Sequence, residues 1–253
     1  MNGRWGFASG IRHAQWTLAG TRVVREHDSP PELRMVIFPT REAHIYDNWQ
    51  VAGLQGTGSC DFAVTDLFVP AIFTWDMMGA QPQRGGPLYR IGLPGLVTNE
   101  HAAFALGAGR CALDAIIAQA QSKERGLRQQ SLIASRPVFQ RAVGECDLRL
   151  RAACSLVLEI HEAAWATVCE GRTPAARLQA EMRSVATFAT EVAAEVVTWA
   201  FRYGGGTALY HTNILQRCLR DINAAAQHAL VSDIAYENHG QFILGLPEAN
   251  PMR

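Results

Sequence analysis

The sequence predicts an α+β protein in which a small antiparallel β domain precedes a helical domain. Between Trp5 and about Pro70 the chain is rich in β-branched and aromatic residues, interrupted by turn-forming glycines and prolines. From Asn99 onward it is rich in alanine, leucine, glutamine and arginine, with apolar residues at helical spacing. A segment rich in proline and glycine separates the two regions. We therefore expect a β domain over residues 1–75, a linker over 76–98 and a helical domain over 99–253.

Five strands are expected in the first region, and the run Val36-Ile37-Phe38 is typical of a fully buried strand. No crossover helix fits between these segments, so antiparallel pairing is expected. The predicted strands cover residues 4–8, 15–24, 34–38, 49–52 and 62–69.

Four helices are expected in the second region, near residues 99–124, 136–171, 174–203 and 212–237. Pro137 and Pro174 suit the first turns of the second and third helices, and the glycines at 204–206 suit a helix end. Long helices with short connections predict an antiparallel four-helix bundle.

Composition excludes several classes of function. The 253 residues include 48% hydrophobic residues, enough for a sizeable core, and 23 Lys+Arg balance 23 Asp+Glu. A chain with no net charge has no overall attraction to nucleic acid or to an anionic membrane. We find neither a spanning apolar stretch nor an N-terminal signal, so we expect a cytoplasmic protein without nucleic-acid or membrane partners.

Common cofactor and metal motifs are absent. The six cysteines form no C-x-x-C pair, and the histidine that a zincin motif requires after His161-Glu162 is replaced by Trp165. Neither the glycines at 56 and 58 nor those at 204–206 complete a dinucleotide or phosphate-loop motif. No metal site is expected.

Two positions are candidates for chemistry. Phe7, Ser9 and Gly10 lie together at a strand end, where they could cover an aromatic ring and hydrogen-bond a ring heteroatom; an ordinary strand end with a glycine turn is the alternative. Arg217 and Asp221 are four residues apart in the last predicted helix and are expected to form an ion pair. His228 lies among small alanines, seven residues after Asp221 in the same predicted helix. It is either a general acid/base or a hydrogen-bonded core histidine.

Three ordered segments resemble the acyl-CoA dehydrogenase-fold flavoproteins. Residues 2–16 (NGRWGFASGIRHAQW) resemble the start of the central β domain, and residues 47–70 resemble the second signature of that fold. Residues 202–206 (RYGGG), followed by Leu-Gln-Arg at 215–217 and Arg-Asp at 220–221, resemble the last-helix signature. The resemblance implies a β-barrel-like central domain followed by a C-terminal four-helix bundle.

Within this superfamily the sequence is most similar to flavin-dependent monooxygenases, the oxygenase components of two-component aromatic hydroxylases. Ser9-Gly10 replaces the Thr-Asn of dehydrogenases, and residues 226–229 (AQHA) lack the usual catalytic glutamate. The resemblance implies that a separate flavin reductase supplies reduced FMN or FAD. The oxygenase then reacts with O2 through a C4a-hydroperoxide and hydroxylates a small aromatic or phenolic substrate. It also implies a homotetramer.

The resemblance assigns roles to individual residues. Ser9 is expected near flavin N5 and O4, with Phe7 and Gly10 against the isoalloxazine ring. His228 would either deprotonate the substrate or donate a hydrogen bond to the peroxide. Thr57 and Ser59 would either contact the flavin or only stabilise the turn in which they lie. Arg125 would bind the flavin phosphate or the cofactor of a neighbouring subunit, or it would lie at a solvated helix end. Gly204 and Gly205 complete the expected cofactor-binding set.

The sequence departs from the family at its start and at one motif position. Relatives carry a helical domain before the β domain, and this chain begins within the first β signature, so we expect an N-terminally truncated member. Gln55 occupies a position where arginine is common. An acyl-CoA dehydrogenase, a flavin oxidase, and a catalytically silent flavin-binding homologue therefore remain alternatives.

Overall fold

Two compact units make up the chain, Met1–Gln83 and Arg84–Arg253. The computed structural model describes residues 1–24, 32–76, 84–126 and 130–252. Residues 77–83 of the expected linker lie outside the described residues. The first unit is formed by strands and the second by helices.

The β unit contains two antiparallel sheets of three strands each. In one sheet the order is β1-β5-β4, and in the other it is β2-β3-β6. The expected antiparallel pairing is confirmed. Among the described residues no ladder joins the two sheets, so barrel-like closure stays a prediction. The strands are β1 (Gly3–Ala8), β2 (Trp16–Val23), β3 (Glu32–Pro39), β4 (His44–Ile45), β5 (Cys60–Val64) and β6 (Thr74–Asp76).

Apolar side chains of both sheets share one core. Trp5 of β1 stacks on Phe62 of β5 with ring centroids 5.1 Å apart, and its indole Nε1 donates to the Gly20 carbonyl of β2 at 2.8 Å. Val36 and Phe38 of β3 are buried in the same cluster. Burying the apolar body of Trp5 while its N–H finds a partner holds the two sheets face to face.

One strand prediction is wrong and another is too long. Residues 49–52 form no strand, because their hydrogen bonds are local: the Trp49 indole donates to the Leu54 carbonyl at 3.2 Å, and the Gln55 side chain donates to the Val51 carbonyl at 2.9 Å. The strand predicted over 62–69 ends at Val64. The two short edge strands β4 and β6 were not predicted from the sequence.

The helical unit begins before the expected domain boundary. The first helix starts at Leu93, inside the segment predicted as linker. The second starts at Pro137, as predicted, whereas the third starts at Ala176, so that Pro174 precedes it. The third ends at Gly204, where the glycine run predicted a stop. The elements are α1 (Leu93–Ser122), β7 (Glu124–Arg125), β8 (Ser131–Leu132), α2 (Pro137–Cys169), α3 (Ala176–Gly204), α4 (Ile214–Ala225) and α5 (Ile234–Ile243).

Helix α3 is the central element of this unit and packs against each of the other four helices. Its buried positions are mostly alanine and valine. At the contact with α1, a Cβ added to Gly109 would lie 3.2 Å from the Ala193 Cβ and 2.8 Å from Leu150 Cδ2 of α2. Small residues on both helices thus let the backbones approach closely, and a larger side chain has no space there.

The prediction of a single helix over residues 212–237 is wrong. Helix α4 ends at Ala225 and α5 begins at Ile234, so the described part of the unit contains five helices. Three polar side chains of α3 bind carbonyl groups of the intervening and following backbone. Arg183 donates to Ala229 at 3.3 Å, Thr187 to Ser232 at 3.4 Å and Ser184 to Ala235 at 2.8 Å. Side chains that bind backbone groups in this way compete with helical hydrogen bonding.

Helices α1 and α2 are long and apolar enough to cross a membrane, by length and composition alone. The sequence had predicted no such stretch. Two such helices are weak evidence, because a core helix of a globular protein passes the same test. Here Arg110 of α1 donates to Asp147 of α2 at 2.7 Å, and both helices pack against α3.

Ala193→Leu tests the close contact of α1 with α3. The substitution forces a larger side chain against Gly109, so we expect the free energy of unfolding to fall by about 1–3 kcal/mol. Urea denaturation followed by circular dichroism measures this. Ala176→Leu, at an exposed alanine in the same helix, is the matched control and should change stability by no more than about 0.5 kcal/mol. Equal losses in both variants would contradict the close-packing explanation.

Candidate functional site

Three hydroxyl groups lie together in the β unit, where β1 ends and the segment before β5 passes beside it. Ser9 Oγ is 2.8 Å from Ser59 Oγ, which is 2.8 Å from Thr57 Oγ1. The Gly10 amide donates to the Thr57 carbonyl at 2.8 Å and fixes the two loops against each other. Ser59 is buried, whereas Ser9 is exposed. The cluster therefore presents one hydroxyl at the surface, supported by two behind it.

Phe7 lies beside this cluster in a strained backbone conformation. Its φ of 58° lies in the left-handed region, which non-glycine residues rarely adopt, and the β1–β5 register is irregular between Trp5 and Ala8. The ring is 82% exposed and meets Trp49 edge to face at 6.3 Å. An exposed aromatic ring held by a strained backbone is typical of a binding loop.

A second group of predicted residues comes together at the C-terminal end of α3. Arg125 Nη2 donates to the Tyr203 carbonyl at 3.2 Å, and Lys123 Nζ donates to the Gly204 carbonyl at 2.9 Å. Gly205 has a φ of 61°, and a Cβ there would lie 2.5 Å from Arg125 Nη2. The absence of a side chain at Gly205 therefore lets the guanidinium approach the helix end. Two cations at a helix C-terminus stabilise its partial negative charge.

His228 does not lie on a helix face with Asp221, because α4 ends before it. Asp221 pairs with Arg217 at 3.5 Å, the i,i+4 contact that the sequence predicted. His228 instead caps a short 3-10 turn, Ala229–Val231, and its Nδ1 accepts the Leu230 N–H at 3.2 Å. The ring is exposed within the helical unit, so the interpretation as a buried core histidine does not hold.

His101 of α1 is a site residue that the sequence analysis missed. Its ring centroid lies 4.2 Å from that of His228. No spacing rule connects two residues so far apart in the chain; the contact arises because α1 packs against the turn that follows α4. Burial lowers the pKa of His101 and the nearby His228 lowers it further, while desolvation lowers the pKa of His228. Both shifts favour the neutral form of the ring at pH 7.

The predicted site residues thus form three groups. Phe7, Ser9, Gly10, Thr57 and Ser59 lie together in the β unit. In the helical unit, Arg125, Gly204 and Gly205 form one group, and His228 with His101 forms another. Among the described residues no group of three or more His, Cys, Asp or Glu side chains could hold a metal ion.

Comparison with known proteins identifies the fold. A solved structure of 3-HSA hydroxylase from Rhodococcus sp. RHA1 superposes with a TM-score of 0.89 and 25% identity, over 100% of this chain and 66% of the hydroxylase chain. Indole-3-acetate monooxygenase of Pseudomonas putida is 30% identical over 97% of this chain. The oxygenase component of the FADH2-dependent resorcinol hydroxylase of a Rhizobium species is 28% identical, also over 97%.

The chain spans 62% of the length of the Pseudomonas protein and 64% of the Rhizobium protein. Residues 100–233, which cover most of the helical unit, match the family model described as the acyl-CoA dehydrogenase C-terminal domain. With this match, and with a similar solved fold over the whole chain, the protein belongs to the acyl-CoA dehydrogenase family.

Proposed function

We propose that this chain is the oxygenase component of a two-component flavin-dependent monooxygenase that hydroxylates an aromatic or phenolic substrate. The observation that carries the proposal is the contact of His228 with His101 of α1, together with the lack of a carboxylate in the segment 226–229 that contains His228. Abstracting a proton from an acyl-CoA needs a strong base at this point, whereas oxygen transfer to a phenol needs a hydrogen-bond donor. The similarity to an indole-3-acetate monooxygenase and to a resorcinol hydroxylase also supports oxygen transfer rather than acyl-CoA dehydrogenation.

The β unit offers groups that suit a reduced flavin. The exposed Phe7 ring can stack on a planar heterocycle, and the exposed Ser9 hydroxyl lies beside it with support from Ser59. When bound, reduced FMN or FAD supplies the electrons that activate dioxygen. The work of this chain's residues is to orient that ring and to exclude water from it.

His228 serves in this proposal as a hydrogen-bond donor rather than as a base. Its Nδ1 accepts the Leu230 N–H, so the neutral ring carries its proton on Nε2. For Nε2 to act as a base, the proton of the neutral ring would have to be on Nδ1. The Nδ1–H and the Leu230 N–H would then point at each other. The lowered pKa favours this neutral form at pH 7. Nε2–H is then available to a substrate hydroxyl or to bound oxygen.

Arg125 and Lys123 are proposed to hold the flavin phosphate. One guanidinium nitrogen of Arg125 binds the Tyr203 carbonyl, and the half-buried side chain keeps further donors for an anion. Gly204 and Gly205 support this site because the turn they form admits the guanidinium. A purely structural cap of α3 is the alternative.

The proposed partners follow from the chemistry. A separate reductase must deliver the reduced flavin, because none of the proposed roles of this chain includes oxidising a nicotinamide. Cytoplasmic location and assembly as a homotetramer stay predictions.

The decisive experiment mixes the purified chain with reduced FMN or reduced FAD without oxygen, then adds dioxygen together with resorcinol or indole-3-acetate. We expect a hydroxylated product by mass spectrometry in amounts that exceed those from free reduced flavin. Reduction of bound oxidised flavin by an acyl-CoA would instead identify a dehydrogenase. Flavin binding without either reaction would leave a silent flavin-binding homologue.

Substitution of His228 separates the donor role from the base role. Glutamine can donate a hydrogen bond but cannot accept a proton at neutral pH, so His228→Gln should retain hydroxylation within about tenfold of the native rate. His228→Ala should lose about 10²- to 10⁴-fold, the usual contribution of a positioned proton-transfer or donor group. Product is measured under initial-rate conditions. Equal losses in the two variants would assign the base role instead.

Stability is expected to depend on pH through the histidine pair. Both histidines have a folded-state pKa below the unfolded value of about 6.5, so the unfolded chain binds more protons below that pH. The contribution of the two neutral histidines to the free energy of unfolding is therefore present above about pH 6.5. It is lost as the pH falls through the folded-state pKa values. Urea denaturation at pH 7, 6 and 5 measures the free energy of unfolding. This free energy should fall less with decreasing pH in His101→Gln than in the native protein. Ala176→Leu, which neither adds nor removes a titratable group, is the control and should leave the dependence unchanged.

Arg125→Gln tests the phosphate proposal. We expect the dissociation constant for FMN to rise about tenfold or more, because a charged contact is lost, while that for riboflavin, which has no phosphate, changes little. Equilibrium binding of the two ligands by flavin fluorescence provides the measurement. Arg172→Gln, at an exposed helix end, is the matched control. A lower melting temperature with equal effects on both ligands would support the structural cap.

A further inference from the structure

We infer that the buried Arg183 is a positioning residue that ties the C-terminal segment, residues 246–252, to the turn that carries His228, and that the placement of His228 depends on this link. The inference rests on the proposed function and deepens it by naming what holds the proposed hydrogen-bond donor in place. Arg183 lies on α3 and is 5% exposed, so it acts through the turn rather than by touching a ligand.

Arg183 contacts two segments that are far apart in the chain. Its Nη2 donates to the Ala229 carbonyl at 3.3 Å, and its Nη1 donates to the Pro251 carbonyl, also at 3.3 Å. The N–H donors of a planar guanidinium point in fixed directions, so one side chain binds two separate carbonyl groups at once. The ammonium group of a lysine has a single nitrogen and does not reproduce this geometry.

The first contact is made directly beside His228. Ala229 is the next residue and begins the 3-10 turn that His228 caps. Within this turn the Val231 amide donates to the His228 carbonyl at 3.0 Å, and the Val231 side chain is buried in a cluster with Ala102 of α1. The guanidinium therefore holds the turn at one end and apolar packing holds it at the other, which limits how far the exposed His228 ring can move.

The second contact gives the C-terminal segment a role. Asn250 Oδ1 accepts the Met252 amide at 2.8 Å, which orders the backbone on both sides of Pro251. Because one guanidinium binds the carbonyl groups of both Pro251 and Ala229, the C-terminal segment restrains the side chain that restrains the turn. Loss of either contact of Arg183 is therefore expected to loosen the turn.

Amide hydrogen exchange, followed by NMR in the full chain, tests this link without any cofactor. Arg183→Lys keeps the charge but replaces the fork by one nitrogen. We expect exchange of the Val231 amide to become about tenfold faster, the effect of losing one hydrogen bond to a charged group. The amide of Val197, a buried residue of the same helix, should keep its rate. Equal acceleration of both amides would indicate general destabilisation and would overturn the inference.

Shortening the chain tests the C-terminal half of the link. Deletion of residues 249–253 removes the Pro251 carbonyl and leaves Arg183 in place, so the Val231 amide should again exchange faster than in the native chain. Adding Arg183→Lys to the shortened chain should have less effect than in the full chain, because both changes break the same link. Effects that simply multiply would show that Arg183 and the C-terminal segment act separately, against the inference.

Turnover provides the functional readout. With resorcinol or indole-3-acetate, Arg183→Lys should lower kcat about tenfold and change KM by less than about twofold, because a displaced donor slows the chemical step more than it weakens binding. Arg177→Lys is the matched control and should leave both constants unchanged, since Arg177 is an exposed residue of the same helix that pairs with Glu181 at 3.1 Å.

The outcomes distinguish this inference from the proposed function. If the native chain hydroxylates a substrate and Arg183→Lys keeps the native kcat despite faster exchange at Val231, the link does not position His228, while the oxygenase proposal stands. If Arg183→Lys does not fold, the shortened chain carries the same two measurements. If the native chain neither binds flavin nor forms product, the proposed function fails, and the positioning of a donor by Arg183 fails with it.

Discussion

The close contact between α1 and α3 is the constraint on which the helical unit depends. Gly109 and Ala193 meet where no larger side chain fits, and most of the other buried positions of α3 are alanine or valine. A helix with such a surface can pack against four neighbours at once, because each neighbour reaches its backbone closely. This close packing provides dispersion contacts and excludes water along a long helix, although most of its buried side chains are small.

The same helix also determines where the candidate catalytic group lies. Arg183, Ser184 and Thr187 place polar groups on a buried face of α3, where they would be costly if unpaired. Backbone carbonyls after α4 lie within hydrogen-bond distance of all three side chains, at the point where the chain leaves the helical path. His228 caps the resulting turn and meets His101 of α1. The histidine pair is thus a consequence of how α3 satisfies its own polar side chains.

The β unit follows a similar principle with hydroxyl groups. Ser59 Oγ lies 2.8 Å from both Ser9 Oγ and Thr57 Oγ1, and the Thr57 hydroxyl is 2.9 Å from the Leu54 carbonyl. In both units, then, the group proposed to act on a ligand is exposed and has a hydrogen-bond partner within its own unit.

The sequence by itself determined the order of a β unit before a helical unit, most strand and helix positions, the helix stop at Gly204 and the Arg217–Asp221 pair, because these depend on local spacing and turn chemistry. The family could be recognised from the order of its motifs. Only the tertiary structure decided that the helix predicted over 212–237 is broken and that His101 faces His228. Those features depend on contacts between residues far apart in the chain, and the periodicity of the sequence does not reveal such contacts. The contact of Ser9 with the buried Ser59, fifty residues later in the chain, belongs with them.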